Sequence, residues 1–201
     1  MRPRTRLAGA LAAIALAAGL TLTGTGPARA DIVPPPGGWA EIFSPYLHAQ
    51  GNTLCFDDPG GSTSSGTRLQ LWHCHGYASN GAMQRWVFIQ PEDLNGNLIY
   101  DSNGSPVYEI YNLAGGMCLT DPSLAPGTQL ILRPCNPATG GQWWELPDAS
   151  NTAGPDFGLR TWPVNFTNSC VSASNSSDSN GTRLVVEDCD LFDLSQLWKL
   201  G

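Results

Sequence analysis

Charge is scarce in this chain. Of its 201 residues only 13% are Asp, Glu, Lys or Arg, about half the share of roughly 25% seen in ordinary globular domains. Cations are scarcer still: ten Lys and Arg face seventeen Asp and Glu, for a formal charge of −7. A partner presenting a phosphate backbone draws its affinity from clustered Lys and Arg. No such cluster is present, so no nucleic-acid partner is expected. Long apolar runs are missing beyond the first thirty residues, so nothing later could span a bilayer, and no stretch there shows a convincing helical period. The short Cys-x2-Cys spacing of zinc modules is missing too. Gly and Pro together make 39 of 201 residues, about 19%, below the ~25–30% that marks low-complexity disorder. What remains is a folded, loop-rich globule with seven Trp to bury.

Residues 1–30 read as a removable leader. Arg2, Arg4 and Arg6 form a basic start, Leu7 to Leu22 an apolar run interrupted by Gly9 and Gly19, and Ala28-Arg29-Ala30 a small-x-small cleavage signal; this is the pattern of a secretory signal peptide, not a membrane anchor. Cleavage before Asp31 leaves six basic residues against seventeen acidic ones, a formal −11. It also delivers the six Cys to a secreted, oxidising compartment, where pairing is the default. Residues 31–38, Asp-Ile-Val-Pro-Pro-Pro-Gly-Gly, read as a tether.

One unit is written three times. Gly66-Thr67-Arg68-Leu69-Gln70-Leu71-Trp72-His73-Cys74 returns as Gly127-Thr128-Gln129-Leu130-Ile131-Leu132-Arg133-Pro134-Cys135 and as Gly181-Thr182-Arg183-Leu184-Val185-Val186-Glu187-Asp188-Cys189. Each copy has a second Cys upstream and a Gln-x-Trp downstream, at Gln84 to Trp86, Gln142 to Trp144 and Gln196 to Trp198. Apolar residues alternate within each copy, as in Leu69/Leu71, Leu130/Leu132 and Leu184/Val186, and turn residues flank them, which predicts short strands in an all-β barrel or sandwich. A unit of this size cannot bury its own apolar face, so three should close on one another with pseudo-threefold symmetry and with Trp86, Trp144 and Trp198 in a shared core. Six Cys allow fifteen pairings. The repeat selects one: Cys55 with Cys74, Cys118 with Cys135 and Cys170 with Cys189, at separations of 19, 17 and 19.

The combination Cys-x-Asp, Gly-Thr-x-Leu-Gln-Leu-Trp-x-Cys and Gln-x-Trp resembles the repeat of the ricin-type (Q-x-W) lectins, over residues 39–201. The resemblance implies an all-β fold, a β-trefoil of three repeats (about 39–90, 107–147 and 157–201) with four strands each, six in a barrel and six in a cap of hairpins. It also implies a carbohydrate-binding module, of a kind found alone or attached to glycosidases and toxins; with the leader, the expectation is a secreted lectin with no cofactor, no metal and no catalytic residues that fills the whole mature chain. Galactosides and xylan-like glycans are the ligands it suggests.

A sugar offers hydroxyls at its rim and an apolar C–H face, so a site needs an aromatic plate and oriented polar groups. The family's positions fall in the first repeat on Asp57, Gln70 and Trp72. Met83 stands where Asn is usual, Asn80 is a substitute from the longer loop, and Gln84 is a further candidate contact. The second repeat has Thr120, Ile131 and Arg133 at the three positions, and the third has Ser172, Val185 and Glu187. Asp121 sits one place late, which on a strand means the opposite face. One competent site is therefore expected.

Other patterns carry less. His73-Cys74-His75 offers a metal no thiolate once Cys74 is paired. The 91–106 insertion alternates oxygen-bearing residues as a calcium loop does, yet lacks the closing Glu and contains Asn-Gly hairpin turns. Asn103, Asn165, Asn175 and Asn180 open glycosylation sequons of a kind frequent in Ser/Asn-rich loops. No paired carboxylates or nucleophile–base motif suggests a hydrolase. The competing class is a non-sugar β-trefoil, a protein-binding or protease-inhibitor module, for which 91–106 is the candidate protruding loop.

Overall fold

The computed structural model describes residues 38–76, 81–136, 141–147, 156–162, 168–190 and 192–201. The predicted leader and nearly all of the tether lie outside the described residues, as does Asn80. Twelve strands follow in order: β1 (Ala40–Ala49), β2 (Asn52–Asp57), β3 (Gln70–His73), β4 (Arg85–Ile89), β5 (Tyr108–Asn112), β6 (Cys118–Thr120), β7 (Ile131–Arg133), β8 (Trp143–Glu145), β9 (Arg160–Trp162), β10 (Ser169–Ala173), β11 (Thr182–Asp188) and β12 (Lys199–Leu200). Four fall in each of the three repeats. A short 3-10 turn, Gly81–Gln84, precedes β4.

Strand pairing divides them into a barrel and a cap. β1 pairs with β4, β4 with β5, β5 with β8 and β8 with β9. Phe157 bridges to Trp198 and β12 returns to β1, closing the ring. The hairpins β2–β3, β6–β7 and β10–β11 form the cap. β1 is long enough to serve both because its register shifts between Ser44 and His48. There the Ser44 hydroxyl accepts the Tyr46 and Leu47 amides, taking over bonds that the ladder cannot make around Pro45.

The Gly-Thr-x-Leu motif explains how the cap closes. Its Gly residues sit at φ +91, +81 and +83 at 66, 127 and 181, a region open to Gly at low cost. That turn aims each amide at the next repeat. Gly66 donates to the Leu132 carbonyl (2.8 Å), Gly127 to Val186 (2.7 Å) and Gly181 to Leu71 (2.8 Å). The three hairpins thus bind head to tail in a cycle, with the third returning to the first.

Alternation then sends Leu69, Leu71, Leu130, Leu132, Leu184 and Val186 inward, all fully buried. Trp86, Trp144 and Trp198 join them. Each indole N–H donates to a carbonyl in its own repeat, at Phe56 (3.2 Å), Leu119 (3.2 Å) and Val171 (3.1 Å), which removes the cost of burying the polar end of the ring. Phe56 meets Trp198 and Trp86 edge-on, with centroids 4.7 and 6.4 Å apart. Disulfides join Cys55 to Cys74, Cys118 to Cys135 and Cys170 to Cys189. Each clamps the two strands of one cap hairpin.

Candidate functional site

The expected site residues lie on the β2–β3 hairpin. The register sets Asp57 opposite Gln70 and Cys55 opposite Trp72, so all four share the face turned away from Phe56 and Leu71. Gln70 donates from Nε2 to Asp57 Oδ2 at 2.8 Å. Trp72 and Gln70 are half-buried and flank the buried Leu71. The Trp72 and His73 rings lie 5.8 Å apart.

Asp57 is deeper than a surface ligand, at 3% exposure. The 3-10 turn roofs it over: Met83 accepts the Asp58 amide at 3.1 Å through its carbonyl, and the same carbonyl accepts from Asn112 Nδ2 at 2.8 Å. Burial raises the Asp57 pKa, while the bonds from Gln70 and Gln84 work against it. With its amide nitrogen held by the carboxylate, Gln70 has its orientation set and its Oε1 kept as an acceptor.

Gln84, a candidate sugar contact from sequence, takes a different part. It is fully buried. Its Nε2 donates to Asp57 Oδ1 and to the His73 carbonyl, both at 3.1 Å, and its Oε1 accepts the His75 amide at 2.7 Å. Gln142 repeats the pattern with the Pro134 carbonyl and the Asn136 amide, and Gln196 with the Asp188 carbonyl and the Asp190 amide. The Gln of Gln-x-Trp therefore staples the chain on either side of the second Cys in every repeat. Among the described residues, only the Gln of the first also steadies a carboxylate; in the second its partner is the Thr120 hydroxyl, at 2.9 Å. Gln84 thus spends its amide on the backbone and on Asp57.

Asp121 follows the last residue of β6. It is buried and accepts the Ser123 and Leu124 amides through Oδ1. Its counterpart Asp58 is fully buried. Burial pushes the Asp58 pKa up to about 6, with the Ser62 amide easing the shift and the Asp57 charge adding to it.

The 91–106 insertion forms two successive turns. Asp93 accepts the Asn95 and Asn97 amides, and Asp101 accepts those of Asn103 and Ser105. N–H donors, those of Asn97 foremost, hold the Asp93 carboxyl below its usual range. These carboxylates close hairpin turns with their own backbone donors, the groups a cation would have to displace. The cluster nearest to a metal-ligand set among the described residues, Glu41 with Cys55 and Cys74, has both sulfurs in a disulfide and offers one carboxylate only.

Two residues that the sequence did not place at the site adjoin it. Asn180, in the third repeat, accepts the His73 amide at 2.8 Å, and Arg183 lies opposite Gln70 in the β11–β3 register.

Residues 106–201 match the family model of the ricin-type beta-trefoil lectin domain. The second and third repeats are therefore those of a ricin-type β-trefoil lectin domain. The matched segment spans the second and third repeats, so the Asp57 site lies outside it. Compared by sequence, no curated protein matches the chain. Among solved structures, the domain is similar to the designed 3-fold symmetric protein ThreeFoil (TM-score 0.59, 19% identity, covering 81% of this chain and 97% of that one). It is also similar to the Macrolepiota procera ricin B-like lectin, solved in complex with lactose (TM-score 0.56, 17% identity, 84% and 98%). A third likeness is to 1,3Gal43A, an exo-beta-1,3-galactanase from Clostridium thermocellum (TM-score 0.59, 17% identity, 84%), of which the domain spans only 31%. At these identities the likeness is one of fold.

Proposed function

We propose that this protein is a secreted lectin that binds a sugar of a polysaccharide or glycoconjugate through its first repeat. The observation that carries the reading is the hydrogen-bonded pair Asp57 and Gln70 beside the half-buried Trp72, in a ricin-type β-trefoil lectin domain whose other repeats lack all three residue types at the matching positions. Trp72 supplies the plate for the C–H face of the ring, Gln70 Oε1 accepts a hydroxyl, and Asp57 forms the floor that orients Gln70 and takes a second hydroxyl. Residues 1–30 act as the removable leader, and the three disulfides suit an oxidising destination. A galactoside is the leading ligand class, in keeping with the lactose in the Macrolepiota procera structure; a xylan-like glycan is the second. The protein works by binding, without catalysis or a cofactor. One site per molecule gives weak affinity unless the glycan or the protein is multivalent.

The test is a glycan array with an insoluble-polysaccharide pull-down, comparing the wild type with Asp57→Ala and Trp72→Ala. Loss of binding in both variants supports the site. Binding that survives both refutes it, and binding to no glycan favours a protein partner, for which Leu94, at 107% exposure on the insertion, and the exposed Leu98 and Tyr100 provide an apolar contact.

A further inference from the structure

We infer that the first-repeat site continues onto the third repeat and that Arg183 reads a negatively charged sugar residue, a uronate, next to the sugar held by Gln70 and Trp72. This rests on the carbohydrate reading above and extends it to a ligand class.

The cap's cyclic closure brings the two repeats together. β2, β3 and β11 lie side by side, with Asp57 opposite Gln70 and Gln70 opposite Arg183. Residues directly opposed in antiparallel strands share a face, with Cα atoms about 4.5–5.5 Å apart. The neighbouring pair, Leu71 and Thr182, is buried, so the row Asp57, Gln70, Arg183 runs along the outer face. The other two junctions of the cap offer no such row. Arg68 faces Ile131 and Gln129 faces Val185, so a polar residue meets an apolar one there.

Arg183 is exposed and lightly engaged. Its Nη2 donates to the Ser174 hydroxyl at 3.3 Å, and it forms no ion pair among the described residues. Most of its five N–H donors are left for a ligand. It borders a groove of about 300 Å³ lined also by Ser174, Asn175, Ser177, Asn180 and Gly181, and among the described lining residues it is the only charged side chain. Hydroxyls and amides suit sugar hydroxyls, and a planar guanidinium suits a carboxylate held by two parallel bonds.

The groove is fixed to the site strand on both sides of Trp72. The Gly181 amide donates to the Leu71 carbonyl. Asn180 accepts the His73 amide, and its Nδ2 lies 3.3 Å from His73 Nδ1. The corresponding residues before the motif Gly in the other repeats are Ser65 and Pro126, neither of which carries an amide for such a clamp. On a secreted chain of formal charge −11, which repels acidic glycans in general, a cation without an ion pair beside the sugar site creates local selectivity for one.

The experiment is calorimetric titration of the full secreted protein with neutral galacto- and xylo-oligosaccharides and with the same oligosaccharides carrying one uronic acid residue. The wild type is expected to bind the uronate forms about tenfold more tightly at low salt, as one charge-assisted contact allows, with the advantage shrinking as salt rises. In Arg183→Ala the ratio of uronate to neutral affinity falls to about one, and Arg183→Lys keeps part of it. Equal wild-type affinities for both forms, or an unchanged ratio in Arg183→Ala, overturn the Arg183 inference and leave the lectin reading standing. Binding of neither form overturns the lectin reading and this inference with it. Unchanged thermal melting of Arg183→Ala, expected for an exposed side chain with one hydrogen bond, separates lost recognition from lost fold.

Discussion

Gln84 and Asp57 meet at 3.1 Å, Nε2 to Oδ1, in a buried position where the same nitrogen also reaches the His73 carbonyl. One amide thus couples the disulfide-closed hairpin to the carboxylate of the site. Gln142 and Gln196 make the equivalent backbone bonds without any carboxylate, which is why Gln-x-Trp recurs three times while Asp57 has one copy.

Replacing these glutamines separates the two roles. Gln142→Ala leaves the Asn136 amide, the Pro134 carbonyl and the Thr120 hydroxyl short of a partner and should cost about 1–3 kcal/mol, with glycan binding intact in the folded fraction. Gln84→Ala should cost a similar amount and also weaken binding, because Asp57 and through it Gln70 lose their orientation. Chemical denaturation and a binding titration on the same samples measure both.

The tryptophans divide in the same way. Trp144→Ala opens a cavity in the core and strands the Leu119 carbonyl, for a loss of about 3–5 kcal/mol. Trp72→Ala, at a half-buried position outside the core, should leave stability within about 1 kcal/mol of the wild type and abolish glycan binding. The two denaturation midpoints test the contrast.

Each disulfide should stabilise by on the order of 3 kcal/mol in the chain-entropy model for a loop of this length. The second bridge, Cys118 to Cys135 with a separation of 17, involves none of the residues of the Asp57 hairpin. Its double Ser variant should therefore lose stability on denaturation without changing the affinity of the folded protein.

The buried acids predict a pH dependence of stability. Burial raises the carboxyl pKa of Glu41, Asp57, Asp58, Glu109, Asp121 and Glu145. A carboxyl that binds its proton more tightly folded than unfolded adds stability at low pH, and that stability is lost as pH rises through the folded value. For Asp58 the window runs from its ordinary 3.8 to about 6. The melting temperature should therefore fall across that window, and Asp58→Asn should flatten the fall. A rising wild-type curve would contradict the assignment.

Much of the fold is legible along the chain because the repeat is local and redundant. Three copies of Gly-Thr-x-Leu announce the turn and the inward period, and the Cys spacing carries the pairing found at all three bridges. Gln84 is the instructive residue. Its spacing marked it as important, but whether its amide faces a ligand or the backbone depends on burial, which a motif does not reveal.

Sequence alone determined the number of repeats, the three disulfides and the core Trp of each repeat, since comparing the three copies singles out the residues they share; four strands per repeat came with the family resemblance. Tertiary structure decided what touches the candidate site. The hairpins close in a cycle, so the third repeat packs on the first, and Asn180 reaches His73 across 107 positions while Arg183 comes to lie opposite Gln70. No local period encodes that contact. It exists because each repeat has an apolar face and a free carbonyl row that only a neighbour can cover, and a closed ring of three makes the last unit the neighbour of the first.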